Sequence, residues 1–315
     1  MSNRFKGRDL LTLRDFEAGE IIEIIDLAAA LKGELKRAGF NSAQPLANKS
    51  VALYFEKHSL RTRVSFEVGI RQLGGQSIFM NSSTTHSERG EPMMDSARVL
   101  TRYVHGVVYR AFKHADVAEM ARYADIPVIN ALCDQDHPCQ ALADLLTIYE
   151  HKGSSGKIKV AYIGDAANNV AASLVTIFTK VGIDFALGCP DSYRPADELL
   201  AEAEADAKAG GSTLNVFKNP ADAARDADIV YTDVWISMGD EEEAGARKQA
   251  FEGYMVDVKL MSAAAPNALF MHDMPAHRGE EVHSDVIDSG SSIIIDQAEN
   301  RLHAQKSVMA LTIGD

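Results

Sequence analysis

Val51-Ala52-Leu53-Tyr54-Phe55-Glu56-Lys57-His58-Ser59-Leu60-Arg61-Thr62-Arg63-Val64-Ser65-Phe66-Glu67 is the stretch on which the reading of this chain turns. Its first five residues are a short apolar run, the pattern of a buried strand. Val64, Val68, Ile70 and Leu73 then recur at helical spacing, and Gly74-Gly75 supplies a stop. Ser59 is the natural N-cap, so Ser59 to Arg63 form the first turn of a helix that follows a strand directly. Free backbone N–H groups and the positive end of the helix dipole gather there, joined by the guanidinium groups of Arg61 and Arg63. Such a turn suits a phosphate-like anion, which arginine can bind bidentately. A capped surface helix with solvated arginines would show the same letters. The glycine-rich loops that cradle nucleotide triphosphates are absent.

Outward from this stretch the chain keeps one rhythm. Residues 16–38 have the spacing of an amphipathic helix. Strands are expected at 51–55, 77–80, 106–109 and 127–130, with helices at 60–73, 95–103 and 117–123 and another opening at Pro138. Lys152-Gly-Ser-Ser-Gly-Lys157 is the clearest linker. Beyond it, strands are expected at 159–163, 184–187, 229–231, 270–271 and 293–295, with helices at 170–181, 196–209 and 297–310. Strand–helix alternation of this kind makes an α/β fold: two doubly wound, parallel-sheet domains, 1–150 and 151–296. Residues 81–92 are a polar loop, long for a connector.

Composition narrows the chemistry. The 315 residues, 46% of them hydrophobic, are enough for two cores. A net charge of −13 argues against a nucleic-acid or anionic-membrane partner. Three cysteines suit a reducing compartment rather than a disulfide framework. The opening residues lack a signal-peptide core and no run reaches transmembrane length, so a cytoplasmic protein is expected. Gly164-Asp165 lacks the further glycines of a dinucleotide fingerprint. His272 and His277 are poorly spaced for a metal and have no cysteine cluster, so no metal or cofactor is expected. Cys139 lacks an evident separate base and the serine-hydrolase elbow is missing.

Four motifs occur in order: Ser59-Leu-Arg-Thr-Arg63, His137-Pro-Cys-Gln140, Asp233-Val-Trp-Ile-Ser-Met-Gly239 and His272-Asp-Met-Pro275, followed by Asp296-Gln-Ala-Glu-Asn-Arg-Leu-His303. Together they resemble the aspartate and ornithine carbamoyltransferases over essentially the whole chain, and Ser-Met-Gly resembles the ornithine branch. The resemblance implies that Ser59, Leu60, Arg61 and Thr62 hold the phosphate of carbamoyl phosphate, and that Arg110, His137, Gln140 and Thr62 orient its carbamoyl group. Arg301 would come from a final helix, 297–315, packed back on the first domain. Asp273 and Met274 would lie near the reacting group. His86 would reach in from a neighbouring subunit of a homotrimer or a multiple of it. Asn169, Asp233, Ser237 and Met238 would bind the α-carboxylate and α-amino groups of ornithine, whose side-chain amine becomes carbamoylated to give citrulline. Arg61, Arg110, His137, Asp273 and Arg301 are the catalytic candidates.

Two positions depart from the family. Leu60 replaces Thr, and Asp273 replaces the Cys of His-Cys-Leu-Pro. An ionised Asp273 would need a cation, either the acceptor's ammonium or Arg301, or would turn to solvent. A different acceptor (another diamino acid, an N-acylated ornithine or putrescine) and a non-catalytic binding relative therefore stay open beside ornithine.

Overall fold

The computed structural model describes residues 4–81, 91–236 and 241–315. The chain divides into two compact units, Met1–Leu146 with Glu299–Asp315, and Thr147–Ala298.

In the first unit α1 (Ala18–Ala38) precedes β1 (Ser50–Phe55), α2 (Arg61–Gln72), β2 (Gln76–Asn81), α3 (Met93–Tyr103), β3 (Gly106–Arg110), α4 (His114–Tyr123), β4 (Val128–Leu132) and α5 (Pro138–Lys152). The sheet is wholly parallel, in the order β2-β1-β3-β4. β1 and β3 are central and nearly every residue in them is buried, which is why they read as unbroken apolar runs. Strand order reverses beside β1, so the crevice outside the carboxyl ends of β1 and β3 is where a ligand would sit.

The second unit continues with β5 (Lys159–Ile163), α6 (Asn169–Lys180), β6 (Asp184–Gly188), α7 (Asp197–Gly210), β7 (Leu214–Phe217), α8 (Pro220–Ala224), β8 (Ile229–Thr232), α9 (Ala244–Ala250), α10 (Val258–Met261), β9 (Leu269–His272) and α11 (Ser284–Ile287); α12 (Ile294–Thr312) begins in this unit and belongs to the first from Glu299 onward. Its five parallel strands run β7-β6-β5-β8-β9. Ala161, Ile163, Val230, Trp235, Phe251 and Phe270 belong to one core there.

The C-terminal part of α12 packs back on the first unit. A Cβ on Gly69 of α2 would come within 3.1 Å of Lys306 Cγ and 3.3 Å of Met309 Cε, so the missing side chain is what lets the two helices approach. Lys306 is fully buried and donates to Asn41 Oδ1 (2.7 Å) and Gln72 Oε1 (3.0 Å). Ser307 Oγ donates to Ile24 O, and Lys49 Nζ to Ile313 O.

Two expectations need correction, and one strand was not anticipated. Residues 293–295 are not a strand. Ser292 makes one isolated bridge to Phe270, and α12 begins at Ile294. Ile293 and Ile294 are apolar because they are buried, and a three-residue apolar run does not distinguish strand from helix. β7 carries no expectation because it is a short edge strand, only partly buried. Finally, α2 starts at Arg61 with Leu60 as its formal cap, although Ser59 Oγ still accepts the Thr62 N–H at 3.2 Å.

Candidate active site

At the carboxyl edge of the first sheet, β1 hands over to the turn that opens α2, and Thr62 is buried there. Arg110 closes β3. The β3–β4 register slips between Tyr109 and Arg110, and such an irregularity re-aims the side chain that follows it. Arg110 is 5% exposed, and its Nη1 donates to Thr62 Oγ1 at 3.4 Å. From α12, Arg301 Nη2 donates to the same hydroxyl at 3.2 Å and its Nη1 to Gln140 Oε1 at 2.5 Å. Gln140, on the first turn of α5, passes the network on to Asp144 at 2.8 Å. His137 is buried just before that helix.

Two guanidinium groups thus converge on one hydroxyl, out of water. Burial, and then the charges of Arg301 and Arg61, bring the Arg110 guanidinium down to about 10. Burial, and then Arg301 and Arg110, push the His137 imidazole well below its ordinary value, so it is neutral at pH 7. A neutral imidazole can donate to a carbonyl oxygen without adding a further cation.

Ser59, Arg61, Thr62, Arg110, His137, Gln140 and Arg301 all belong to this unit. Arg63 does not share their role. It pairs with Glu67 at 2.9 Å and stacks 3.6 Å over the Phe79 ring. Helical geometry separates it from Arg61, so the turn offers one guanidinium, not two. The Leu60 side chain is 74% exposed. Cys139 is fully buried, donates to Asn130 O, and burial pushes its thiol up to about 12, which suits packing rather than nucleophilic attack. Lys57 was not singled out from sequence. Its ammonium lies over the Phe112 ring at 4.8 Å, and burial, then Arg110, lower its pKa. Its place at the end of β1 was the available signal. His86 lies outside the described residues.

The second unit carries a centre of opposite sign. Asp233 directly follows β8 and Asp273 directly follows β9. Asp233 is 6% exposed; its Oδ1 accepts the Val234 N–H at 2.7 Å and its Oδ2 accepts from Asn168 Nδ2 at 3.1 Å. Burial, and then the charge of Asp273, raise the Asp233 carboxyl well above the usual range. Ligand oxygens of the two lie within 4.8 Å. Two full charges so close would repel by about 3 kcal/mol at an effective dielectric of roughly 20. Asp273 is thus not turned to solvent: its side chain is 12% exposed, and its Oδ1 lies 3.6 Å from His272 Nδ1.

Asn168, beside the expected Asn169, donates to Asp233. Asn168 also caps α6, accepting the Ala171 N–H at 2.7 Å, and donates to Tyr162 Oη. Asn169 is the first helical residue and half-buried. His272 is fully buried; its Nδ1 accepts the Met274 N–H at 2.9 Å and its Nε2 faces Glu281 Oε1 at 3.3 Å. Met274 packs against the core of this unit. Arg247 pairs with buried Asp165 at 2.8 Å and donates to the Trp235 carbonyl, anchoring the backbone before residue 237. Ser237 and Met238 lie outside the described residues. His272 with Asp233 and Asp273, and His277 with Glu280 and Glu281, each bring three metal-capable atoms within 4.8 Å. His272 and His277, whose spacing argued against a shared metal, fall in different groups.

The description "aspartate/ornithine carbamoyltransferase, carbamoyl-P binding domain" matches residues 8–150, and "Asp/Orn binding domain" of the same family matches 156–312. The chain belongs to the aspartate/ornithine carbamoyltransferase family. Among its relatives, an ornithine carbamoyltransferase of Symbiobacterium thermophilum is 48% identical over 97% of this chain and 98% of its own. An anabolic ornithine carbamoyltransferase of Pyrococcus furiosus is 47% identical over 98% of this chain and 97% of its own. The solved ornithine carbamoyltransferase of Pyrococcus furiosus superposes with a TM-score of 0.94, at 47% identity and 98% coverage of each chain. That of Gloeobacter violaceus does so with 0.87, at 43% identity, covering 99% of this chain and all of that one. No helix among the described residues is long and apolar enough to cross a membrane.

Proposed function

We propose that this chain transfers the carbamoyl group of carbamoyl phosphate to the side-chain amine of ornithine, giving citrulline and phosphate. One observation carries the reading: Arg110 and Arg301 converge on the Thr62 hydroxyl beside a neutral His137. A buried positive centre of this kind is stabilised by an incoming dianion. Ser59, Leu60, Arg61 and Thr62 take the phosphate, by backbone N–H groups where the side chain is apolar. His137, Gln140 and Arg110 orient the carbamoyl group and stabilise negative charge developing on its oxygen. The amine nitrogen forms the new C–N bond as the C–O bond to phosphate breaks. Positioning supplies much of the rate, with no covalent enzyme intermediate.

The acceptor is held by the second unit, with Asp233 on the α-ammonium and Asn169, Ser237 and Met238 completing its clamp. Asp273 and Met274 lie at the side-chain amine. Asp273 favours a second ammonium on the acceptor, so a diamino acid suits the pair better than an N-acylated ornithine or an amino acid with one amine. The domain boundaries we assign are 1–150 with 297–315, and 151–296. Full assembly is a cytoplasmic homotrimer, or a multiple of it, in which His86 acts on the neighbouring site. Ile78 on the edge strand β2, with Val99 and Tyr103 on α3, are exposed apolar residues that an assembly would cover.

A panel of ornithine, lysine, 2,4-diaminobutyrate, putrescine and N-acetylornithine, assayed for ureido product with carbamoyl phosphate, tests the acceptor. Ornithine should lead; preference for another amine, or no product from any, would overturn the reading. Mixing inactive Arg110→Ala and His86→Ala chains should restore activity if sites are shared, and no recovery speaks against the shared site.

A further inference from the structure

Gln140 and Asp144 stand one turn apart on α5, so their side chains share a face of the helix. Both are buried, 1% and 0% exposed. Gln140 Nε2 donates to Asp144 Oδ1 at 2.8 Å. At the other end of the same amide, Arg301 Nη1 donates to Gln140 Oε1 at 2.5 Å. A guanidinium offers donors alone, and so does an amide nitrogen, so neither bond can run the other way. The Gln140 amide is thus gripped from both ends, its oxygen towards Arg301 and its nitrogen towards Asp144.

The same direction holds beyond Arg301. Its Nη2 donates to Thr62 Oγ1 at 3.2 Å, and Arg110 Nη1 donates to that oxygen at 3.4 Å. Two donors occupy the lone pairs of the hydroxyl, which leaves its own proton to be donated. Carbamoyl phosphate, with its carbonyl and phosphate oxygens, supplies an acceptor. One chain of hydrogen bonds therefore links Thr62, Arg301, Gln140 and Asp144, with a carboxyl group at its far end. The amide is a soft joint in that chain. The terminal torsion of glutamine is broad and roughly two-fold, so an unrestrained amide turns over readily. A turned amide would set its –NH2 against the Arg301 guanidinium, donor against donor, and draw Arg301 away from Thr62.

We propose that Asp144 is a positioning residue of the carbamoyl phosphate site: it fixes the Gln140 amide, and through it the Arg301 guanidinium, in the orientation that receives the substrate. The inference rests on the carbamoyl phosphate reading above. An aspartate that only holds the helix in place would lower stability without acting through Gln140.

Calorimetric titration of carbamoyl phosphate into wild type, Asp144→Ala, Asp144→Asn, Gln140→Ala and the double variant Asp144→Ala/Gln140→Ala reads this coupling. Asp144→Ala should weaken binding about tenfold, the scale of one lost hydrogen bond to a charged group. Its KM for ornithine at saturating carbamoyl phosphate should stay as in the wild type. The double variant should bind within about twofold of Gln140→Ala alone, because the effect of Asp144 passes through that amide. Asp144→Asn, whose Oδ1 can accept as before, should return to within about threefold of wild type. Losses that multiply in the double variant, or wild-type binding by Asp144→Ala, would overturn the proposal.

A second measurement needs neither substrate nor the alanine variant at Asp144, should that one fold poorly. In protein labelled with 15N-glutamine, the Gln140 side-chain amide is identified by its loss in Gln140→Ala. One of its two protons should be shifted to high frequency by the carboxylate, and Asp144→Asn should move it back. An unshifted pair, or one indifferent to Asp144→Asn, would equally overturn the proposal. Failure of the wild type to bind carbamoyl phosphate would strike the substrate reading instead, and the amide spectrum would then decide the role of Asp144.

Discussion

The two units solve the same problem with opposite signs. Each places its polar cluster at the carboxyl edge of a parallel sheet, on residues that end strands or open helices. In the first unit these are Arg61, Arg110, His137 and Arg301; in the second they are Asp233, Asp273 and His272. The first keeps its cations and forces the histidine to be neutral. The second gathers carboxyls, and burial with the charge of Asp273 raises that of Asp233. In both, like charges gathered out of water destabilise the empty site and favour a ligand of the other sign. The difference matches the proposed substrates, a dianion for one unit and a diamino acid for the other.

The contrast breaks most readily at Arg110. Arg110→Ala should cost roughly 2–4 kcal/mol of transition-state binding, a loss of two to three orders of magnitude in kcat/KM for carbamoyl phosphate. Circular dichroism should be unchanged. Near-normal turnover would remove the anion from this centre. On the other side, Asp233→Asn should raise the KM for ornithine about tenfold to a hundredfold, as expected for a charged contact worth roughly 1.5–3 kcal/mol, and leave that for carbamoyl phosphate alone. Equal effects on both substrates would argue against separate poles.

Inorganic phosphate sharpens the comparison without mutation of the acceptor side. At about 100 times its Kd it should stabilise the wild type by about 2.7 kcal/mol, and it should do so far less in Arg110→Ala. Thermal melts with and without phosphate read this directly.

The smallest effect is on stability against pH, and its sign differs between the units. His137 is lowered in the folded state, so below its ordinary value the unfolded chain binds a proton that the folded one refuses. Stability falls as pH drops through about 6.5, and His137→Gln should remove that part of the loss. Asp233 is raised, so the folded chain keeps a proton that the unfolded one has released. The stabilisation this confers is lost as pH rises through the folded value. Asp273→Asn should flatten that slope, at most about 1.4 kcal/mol per pH unit for one proton. Urea melts across pH 4–9, with slopes of the same sign for both variants, would contradict the assignment.

Much of this was legible in the letters. The strands of both sheets stand out because buried parallel strands are apolar throughout and Gly or Pro punctuates their ends. β7 escaped because an edge strand buries little, and Ile293–Ile295 misled because a three-residue apolar run fits strand and helix start alike. The first unit's cluster could be anticipated because Ser59 to Arg63 and His137 to Gln140 are compact motifs at helix starts. That Arg63 turns to Glu67 and Phe79, or that Lys57 lies near Arg110, depends on side-chain direction, which spacing alone leaves open. The meeting of Asp233 with Asp273 depends on β8 lying beside β9, a fact of topology rather than of any local pattern.

The most direct test is calorimetric titration of carbamoyl phosphate into wild type, Arg110→Ala and Asp233→Asn. Opposite poles predict that Arg110→Ala weakens binding by roughly a hundredfold or more, while Asp233→Asn stays within about threefold of wild type. Undiminished binding to Arg110→Ala, or the same loss in Asp233→Asn, would contradict it.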